Sequence, residues 1–186
     1  MERIDIYDQW GGVEQKGVEK DVAHREGLLH HAVCTWILND REELLLQRRS
    51  EEKPFAPGMW DNSFSGHVDT GESLLSAVLR EGEEELGIRL KKEKLWYLFT
   101  CPYRGSIPGS AYEENELYDI FLYRDDVEIG DISFPDGEVA EVRYVHYKEV
   151  ERMWKAGDGN LIVAPEHFTL LFYILHRMLE REDGAK

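Results

Sequence analysis

The sequence predicts an α+β fold in which a mixed β-sheet is sandwiched between α-helices. Three observations carry this expectation. Apolar runs of strand length interleave with segments of helical period, no internal repeat interrupts the chain, and 42% hydrophobic composition over 186 residues suffices for one core. That length, with no Pro/Gly/Ser-rich linker, indicates a single domain over residues 1–186.

In chain order, "RIDIYD" and "VEQKGVEK" read as a short strand pair around Gly11 and Gly12, and "AHREGLLHH" leads into the apolar strand "AVCTWIL". After the turn "NDREE", a second apolar strand begins at Leu44 and ends in basic residues, and "EEKPFAPGMWDNS" has the prolines and glycine of an irregular loop. "SGHVDTGESLLSAVLREGEEELGI" reads as the approach to, and body of, an amphipathic helix. "LWYLFTCPYR" and "ELYDIFLYRDD" are strands rich in aromatic and β-branched residues, flanking the loop "GSIPGSAYEEN". "EVRYVHY" is one more strand and "KEVERMWKAG" a short helix. "EHFTLLFYILHRMLERE" is a longer helix with Phe168, Leu171, Phe172, Leu175 and Met178 on its core face.

A formal net charge of −16 argues against a partner such as polymeric DNA or RNA, whose binding rests on clustered lysine and arginine. It leaves room for a small phosphorylated ligand, because a bound cation and a few basic residues reverse the field inside one cleft. Cys34 and Cys101 lie in strand-like runs and read as small core hydrophobes. The N-terminus lacks a signal-peptide pattern and no apolar run reaches membrane-spanning length, so a cytoplasmic location with no membrane partner is expected.

The helix carries acids in an unusual order. With Glu81 as the origin of a helical wheel, Leu75, Val78, Leu79, Gly82 and Leu86 form the buried stripe. Glu84 and Glu85 lie three and four positions on, so they share a face with Glu81, whereas Glu83 points elsewhere. Like charges so placed cost a few tenths of a kcal/mol per pair. A divalent cation reverses the sign, and hard carboxylate oxygens suit Mg2+ or Mn2+. The other reading is a solvated acidic face on an acidic protein.

The rest of the stretch separates these readings. Gly66, Glu72, Arg80, Glu81, Glu84, Glu85, Gly87 and Ile88 resemble the Nudix box at every fixed spacing. One position departs, since Gly82 stands where the family has a bulky aliphatic residue; close approach of another backbone is the expected reason. The resemblance implies a metal-dependent hydrolase that cleaves the diphosphate linkage of a small organic diphosphate. It implies metal ligation by Glu81, Glu84 and Glu85, with the Gly66 carbonyl a further ligand, and a supporting role for Glu72 and Arg80. The general base is open between Glu85, Glu114 and Glu116.

Residues 24–120 are also similar to the isopentenyl diphosphate isomerase branch of that superfamily, through "LLHHAVCTWILN", "QRRSEEKPFAPGMWDNSFSGH" and "ENEL". That resemblance makes Arg49 and Lys53 the diphosphate grip and His30, His67, Glu114 and Glu116 metal positions. It also implies that Ser65 occupies the place of the isomerase cysteine, and a hydroxyl is a far poorer acid than a thiol. Isomerases have a degraded box, whereas this one keeps Glu84 and Glu85, so hydrolysis is the expected reaction and isomerisation the alternative. A third alternative is a non-catalytic nucleotide-binding module. His24, His30 and His31 read equally well as structural or functional, and Trp10, Trp60 or Tyr112 could stack on a base. The organic moiety and the oligomeric state, a homodimer included, are left open.

Overall fold

The computed structural model describes residues 2–53, 55–106, 111–162 and 164–183. Its strands in chain order are β1 (Arg3–Tyr7), β2 (Val13–Glu19), β3 (His30–Leu38), β4 (Glu43–Arg49), β5 (Trp60–Asp61), β6 (Phe64–His67), β7 (Leu95–Ser106), β8 (Glu113–Arg124) and β9 (Val139–His146). The helices are α1 (Lys20–Glu26), α2 (Leu74–Leu86), α3 (Tyr147–Ala156) and α4 (Pro165–Asp183). All the strands join one mixed sheet with helices on both faces, as the sequence predicts.

β3 is the hub. It runs parallel to β8 from His30 opposite Glu116 to Leu38 opposite Arg124, and antiparallel to β6, where Ala32 faces His67 and Val33 faces Gly66. At its ends it pairs β1 and β4, and β4 in turn pairs β9. Because both faces are covered, β3 is apolar nearly throughout, and its period of two sorts side chains between two cores. Cys34, Trp36 and Leu38 enter a core with Leu44, Leu46, α3 and α4, while Val33 and Ile37 enter another with Leu45, Phe64 and α2. The expected apolar face of α4 is there: Phe168, Leu171, Phe172 and Leu175 are buried, with Met178 packed beside them. Cys34 and Cys101 are free, buried thiols in this same core.

α2 is closed at both ends by its own sequence. Ser73 Oγ accepts the Ser76 amide at the start, and Gly87, at φ 65°, ends the helix in the left-handed conformation with its N–H donating to Glu83 O.

Four expectations are corrected. Leu75 is 39% exposed and Leu79 only half-buried, and the buried arc of α2 is instead Ala77, Val78, Glu81, Gly82, Glu85 and Leu86 with Leu74 packed alongside. Two of the acids lie inside the buried arc, which rotates it away from Leu75. Gly82 is approached by side chains rather than a backbone: a Cβ there would meet Leu90 Cδ1 at 2.9 Å and Phe64 Cζ at 3.4 Å. The run into β3 contains a helix of about two turns, α1, capped by Gly27 at φ 60°. The expected irregular loop before α2 holds the short strand β5, which pairs β4 through Gln47–Asp61 and Arg48–Trp60. Among the described residues no helix is long and apolar enough to cross a membrane.

Candidate active site

A cleft of about 700 Å3 opens beside β3 and β6, between α2 on one side and β8 and the start of α4 on the other. Glu81, Glu84, Glu85, Gly66, His67, Arg80, Glu114, Glu116, Arg49 and Lys53 all line it. Glu72 stands behind them, against Arg80.

The α2 edge follows from helical spacing and one glycine. β6 passes so close to α2 that a Cβ on Gly66 would overlap the Glu81 carboxylate. Glycine is required there by space, since its φ is not positive. Arg80 organises the edge: Nη1 donates to Glu81 Oε1 at 2.6 Å and Glu84 Oε2 at 3.0 Å, Nη2 to the His67 carbonyl at 2.8 Å and Glu72 Oε2 at 2.9 Å, and Nε to Glu72 Oε1 at 3.2 Å. Glu72 also accepts the Asp69 amide, tying the approach loop to the helix. Burial raises Glu81 to about 7 against the opposing pull of Arg80. Glu85 is raised well above the carboxylate range by burial and by Glu81, and Gln47 Nε2 donates to its Oε2 at 3.0 Å. Two buried carboxylates that resist ionisation together, with Glu84 three positions from Glu81 and paired, among the described residues, only with the Arg80 that Glu81 also uses, form a site that added positive charge would stabilise.

The expected diphosphate grip is already engaged with acids. Arg49 Nε donates to the Phe55 carbonyl at 3.1 Å and Nη1 lies 3.5 Å from Asp61 Oδ2, while Lys53 pairs with Glu138. Burial raises Asp61.

Where His67 and Glu116 line the cleft they gather with two fully buried histidines, His24 and His30. His24, His30, His67 and Glu116 place one ligand atom each within 4.8 Å of one another. The sheet builds this cluster: parallel pairing sets His30 opposite Glu116, and antiparallel pairing sets His67 opposite Ala32, two residues along from His30. Each histidine has its Nδ1 against an oxygen: His30 on the Leu28 carbonyl at 2.8 Å, His24 on the Glu113 carbonyl at 3.2 Å, and His67 on Glu2 Oε1 at 3.3 Å. With the Nδ1 atoms engaged outward, all three Nε2 atoms face the cluster, His67 Nε2 lying 3.0 Å from His24 Nε2 and 3.2 Å from Glu116 Oε1. His30 Nε2 lies 3.3 Å from Glu116 Oε1, yet it, Glu116 Oε2 and Glu114 Oε2 are buried without a hydrogen-bond partner among the described residues. Orphaned nitrogen and oxygen atoms converging in this way fit a divalent cation.

The charges agree with this. Burial would raise Glu116, but the His30 and His67 imidazoles beside its Oε1 outweigh it and hold the carboxylate far below its usual range. Burial would lower His67, but Glu116 and Glu2 raise it to about 9. Burial, then the neighbouring His67 and His30, lower His24 to about 4. Glu114 is raised to about 7 by burial and by Glu116.

Sequence reasoning left His24 open and did not find Glu2, Asp61 or His167. His167 lines the cleft, 3% exposed, and accepts the Trp36 indole N–H at 2.8 Å. Its neighbour Phe168 sits on the recognised core stripe, which drew attention from the histidine. His31 lies elsewhere, on Asp119 at 2.5 Å. Trp10 is 85% exposed, and the Trp60 ring is covered by the Arg143 guanidinium at 3.8 Å; neither faces the cleft. Tyr112 does line it, stacked on His24. Residues 107–110 of the loop "GSIPGSAYEEN" lie outside the described residues.

A mixed sheet between helices, with a strand–loop–helix segment presenting glutamates to a cleft, defines an α+β protein organised around an acidic motif. A model of the NUDIX domain matches residues 28–164, and the chain belongs to that family. It is 32% identical to an isopentenyl-diphosphate Delta-isomerase of Pectobacterium atrosepticum over 171 residues, 92% of this chain and 86% of the relative. It is 34% identical to Nudix hydrolase 3 of Arabidopsis thaliana over 162 residues, which are 84% of this chain but only 21% of that protein. Among solved structures, DR0079 from Deinococcus radiodurans shares the fold with a TM-score of 0.66 at 20% identity, over 95% of this chain and 98% of that one.

Proposed function

We propose that this protein is a divalent-cation-dependent hydrolase that cleaves the diphosphate linkage of a small organic diphosphate by attack of water on phosphorus. The observation that carries the reading is the intact acidic edge of α2: Glu81, Glu84 and Glu85 line one cleft with Arg49 and Lys53, and Arg80 and Glu72 brace them from behind. Bound Mg2+ or Mn2+ supplies charge neutralisation on the phosphate oxygens and a more acidic water. Glu81, Glu84 and Glu85, with the Gly66 carbonyl, would hold cations along the α2 edge of the cleft, and His24, His30, His67, Glu114 and Glu116 at the histidine cluster.

The chain's own residues divide the remaining work. Arg49 and Lys53 exchange Asp61 and Glu138 for the substrate's phosphate oxygens, a guanidinium fork being suited to them. Of the three candidates for general base, Glu116 is committed to two histidines. Glu85 and Glu114 are the carboxylates that hold a proton most readily, and Glu114 Oε2 has no partner among the described residues, which makes it the better placed of the two.

Isomerisation is the second reading, favoured by the histidine cluster and by the relatives named as isomerases. Ser65 weighs against it, because its hydroxyl, beside Cys34 in the β3–β6 register, cannot match a thiol in moving protons at carbon. One experiment separates them: a Mg2+-supplemented screen of nucleoside, sugar and prenyl diphosphates with product identification. Hydrolysis releases phosphate or a monophosphate, whereas conversion of isopentenyl diphosphate to its dimethylallyl isomer without phosphate release would replace this reading with the second.

A further inference from the structure

The family match begins at residue 28, yet the histidine cluster draws on residues before it. The most specific of these contacts is made by Glu2. Its Oε1 lies 3.3 Å from His67 Nδ1, and its Oε2 accepts from Lys20 Nζ. We propose that Glu2 is a positioning residue for the histidine cluster: its carboxylate takes the His67 Nδ1–H, fixes that ring's tautomer and orientation, and so aims the Nε2 lone pair at the point shared with His24, His30 and Glu116.

The contact is built into the backbone rather than left to a side chain reaching across a surface. The β1–β2 ladder pairs Arg3 with Glu19 and continues one step further, where the Lys20 amide donates to the Glu2 carbonyl at 3.1 Å. Lys20 therefore holds both the main chain and the carboxylate of Glu2. The same strand is fastened to the segment that follows His67, through the Thr70 amide on the Arg3 carbonyl at 2.8 Å and the bridge between Ile4 and Asp69. Glu2 and His67 are thus held near one another by the β1–β2 ladder on one side and the Ile4–Asp69 bridge on the other. The other two histidines place Nδ1 on backbone carbonyls. Only His67 has a charged acceptor there, and a carboxylate on the outer nitrogen makes an imidazole a more basic ligand than a carbonyl does.

This inference rests on the reading of the histidine cluster as a cation site, and the test separates the two. Co2+ is titrated into metal-free wild type, His30→Ala, Glu2→Gln, Glu2→Asp and Lys20→Met, following the visible absorption of bound Co2+ and the affinity by calorimetry. Thermal melting of each metal-free form checks folding. The expected result is Co2+ binding by wild type that His30→Ala abolishes, an affinity about 10- to 100-fold weaker in Glu2→Gln, partial recovery in Glu2→Asp, and an intermediate loss in Lys20→Met. Folded Glu2→Gln and Lys20→Met proteins that bind Co2+ within twofold of wild type, while His30→Ala does not bind, would overturn the role of Glu2 and leave the cation site standing. If Glu2→Gln fails to fold, Lys20→Met decides alone. Wild type with no Co2+ absorption would overturn the cation site itself, and this inference with it.

Discussion

Two alanine substitutions in the same motif should behave in opposite ways. At Gly66 a Cβ would overlap the Glu81 carboxylate, far inside the 3.4 Å at which ordinary contact begins. The obstructing atoms are the far end of a flexible side chain, so Gly66→Ala is accommodated by pushing the carboxylate aside, at a cost no larger than the roughly 1–3 kcal/mol of an overpacked site. The displacement is about 1 Å or more, and a misplacement of that size costs on the order of 10²-fold in catalysis. Its Arg80 partner is drawn away as well, because one nitrogen serves both Glu81 and Glu84. At Gly82 the added methyl meets Leu90 and Phe64 side chains and nothing in the cleft. The crowding against Leu90 is set against the roughly 1 kcal/mol that alanine gains over glycine in a helix interior. Gly82→Ala should therefore stay within about 1 kcal/mol of wild type and keep its activity. The assay is Mg2+-dependent release of phosphate from whichever diphosphate the wild type turns over, alongside thermal melting. Full activity in Gly66→Ala, or equal losses in both variants, would refute the assignment of Glu81 to the cation edge.

Other expectations follow from the same geometry. Glu85→Gln should lose at least about 10²-fold in kcat while the metal-free protein melts higher at pH 8 than wild type, because a buried acid raised above its usual pKa destabilises the fold once ionised; a lower melting point with retained turnover would contradict this. His167, lowered to about 3 by burial, must take up a proton on unfolding, so its contribution is complete above pH 6.5 and is lost as the pH falls towards 3. In His167→Phe the Trp36 indole loses its acceptor, which should cost about 1–3 kcal/mol at pH 7 but flatten the acid limb of a stability–pH profile; an unchanged limb would sink the assignment. Chelation with EDTA should abolish turnover and Mg2+ or Mn2+ should restore it, and activity that survives exhaustive chelation would remove the cation role. Ser65→Cys should introduce measurable conversion of isopentenyl to dimethylallyl diphosphate, followed by NMR, if the missing thiol is what holds the isomerase reaction back.

What could be read from the sequence is what one helix and its approach loop encode. Arg80, Glu81, Glu84 and Glu85 are related by turns of a single helix, and Gly66 on β6 and Glu72 by the short loop leading to it, so local spacing brings them together. The buried stripe was misplaced at Leu75 and Leu79 because a periodicity argument treats glutamate as an outward-facing residue, whereas Glu81 and Glu85 are 8% and 6% exposed. The histidine cluster is different in kind. His24 comes from α1, His30 from β3, His67 from β6 and Glu116 from β8, and what unites them is the register of two strand pairings, one parallel and one antiparallel. No local spacing encodes such a register. Resemblance supplied His30, His67, Glu114 and Glu116, while His24 and Glu2, carried by the N-terminal segment, needed the sheet to be assembled before their place was visible.

The central claim is that the glutamate edge of α2 exists to hold divalent cations against a diphosphate. Anomalous diffraction from crystals soaked in Mn2+ with a non-hydrolysable diphosphate analogue tests it most directly. The account predicts manganese peaks within coordination distance of Glu81, Glu84 and Glu85, with the analogue reaching Arg49 and Lys53. Manganese and analogue bound elsewhere in the crystal, with that edge bare and Arg80 still paired to Glu81 and Glu84, would contradict it.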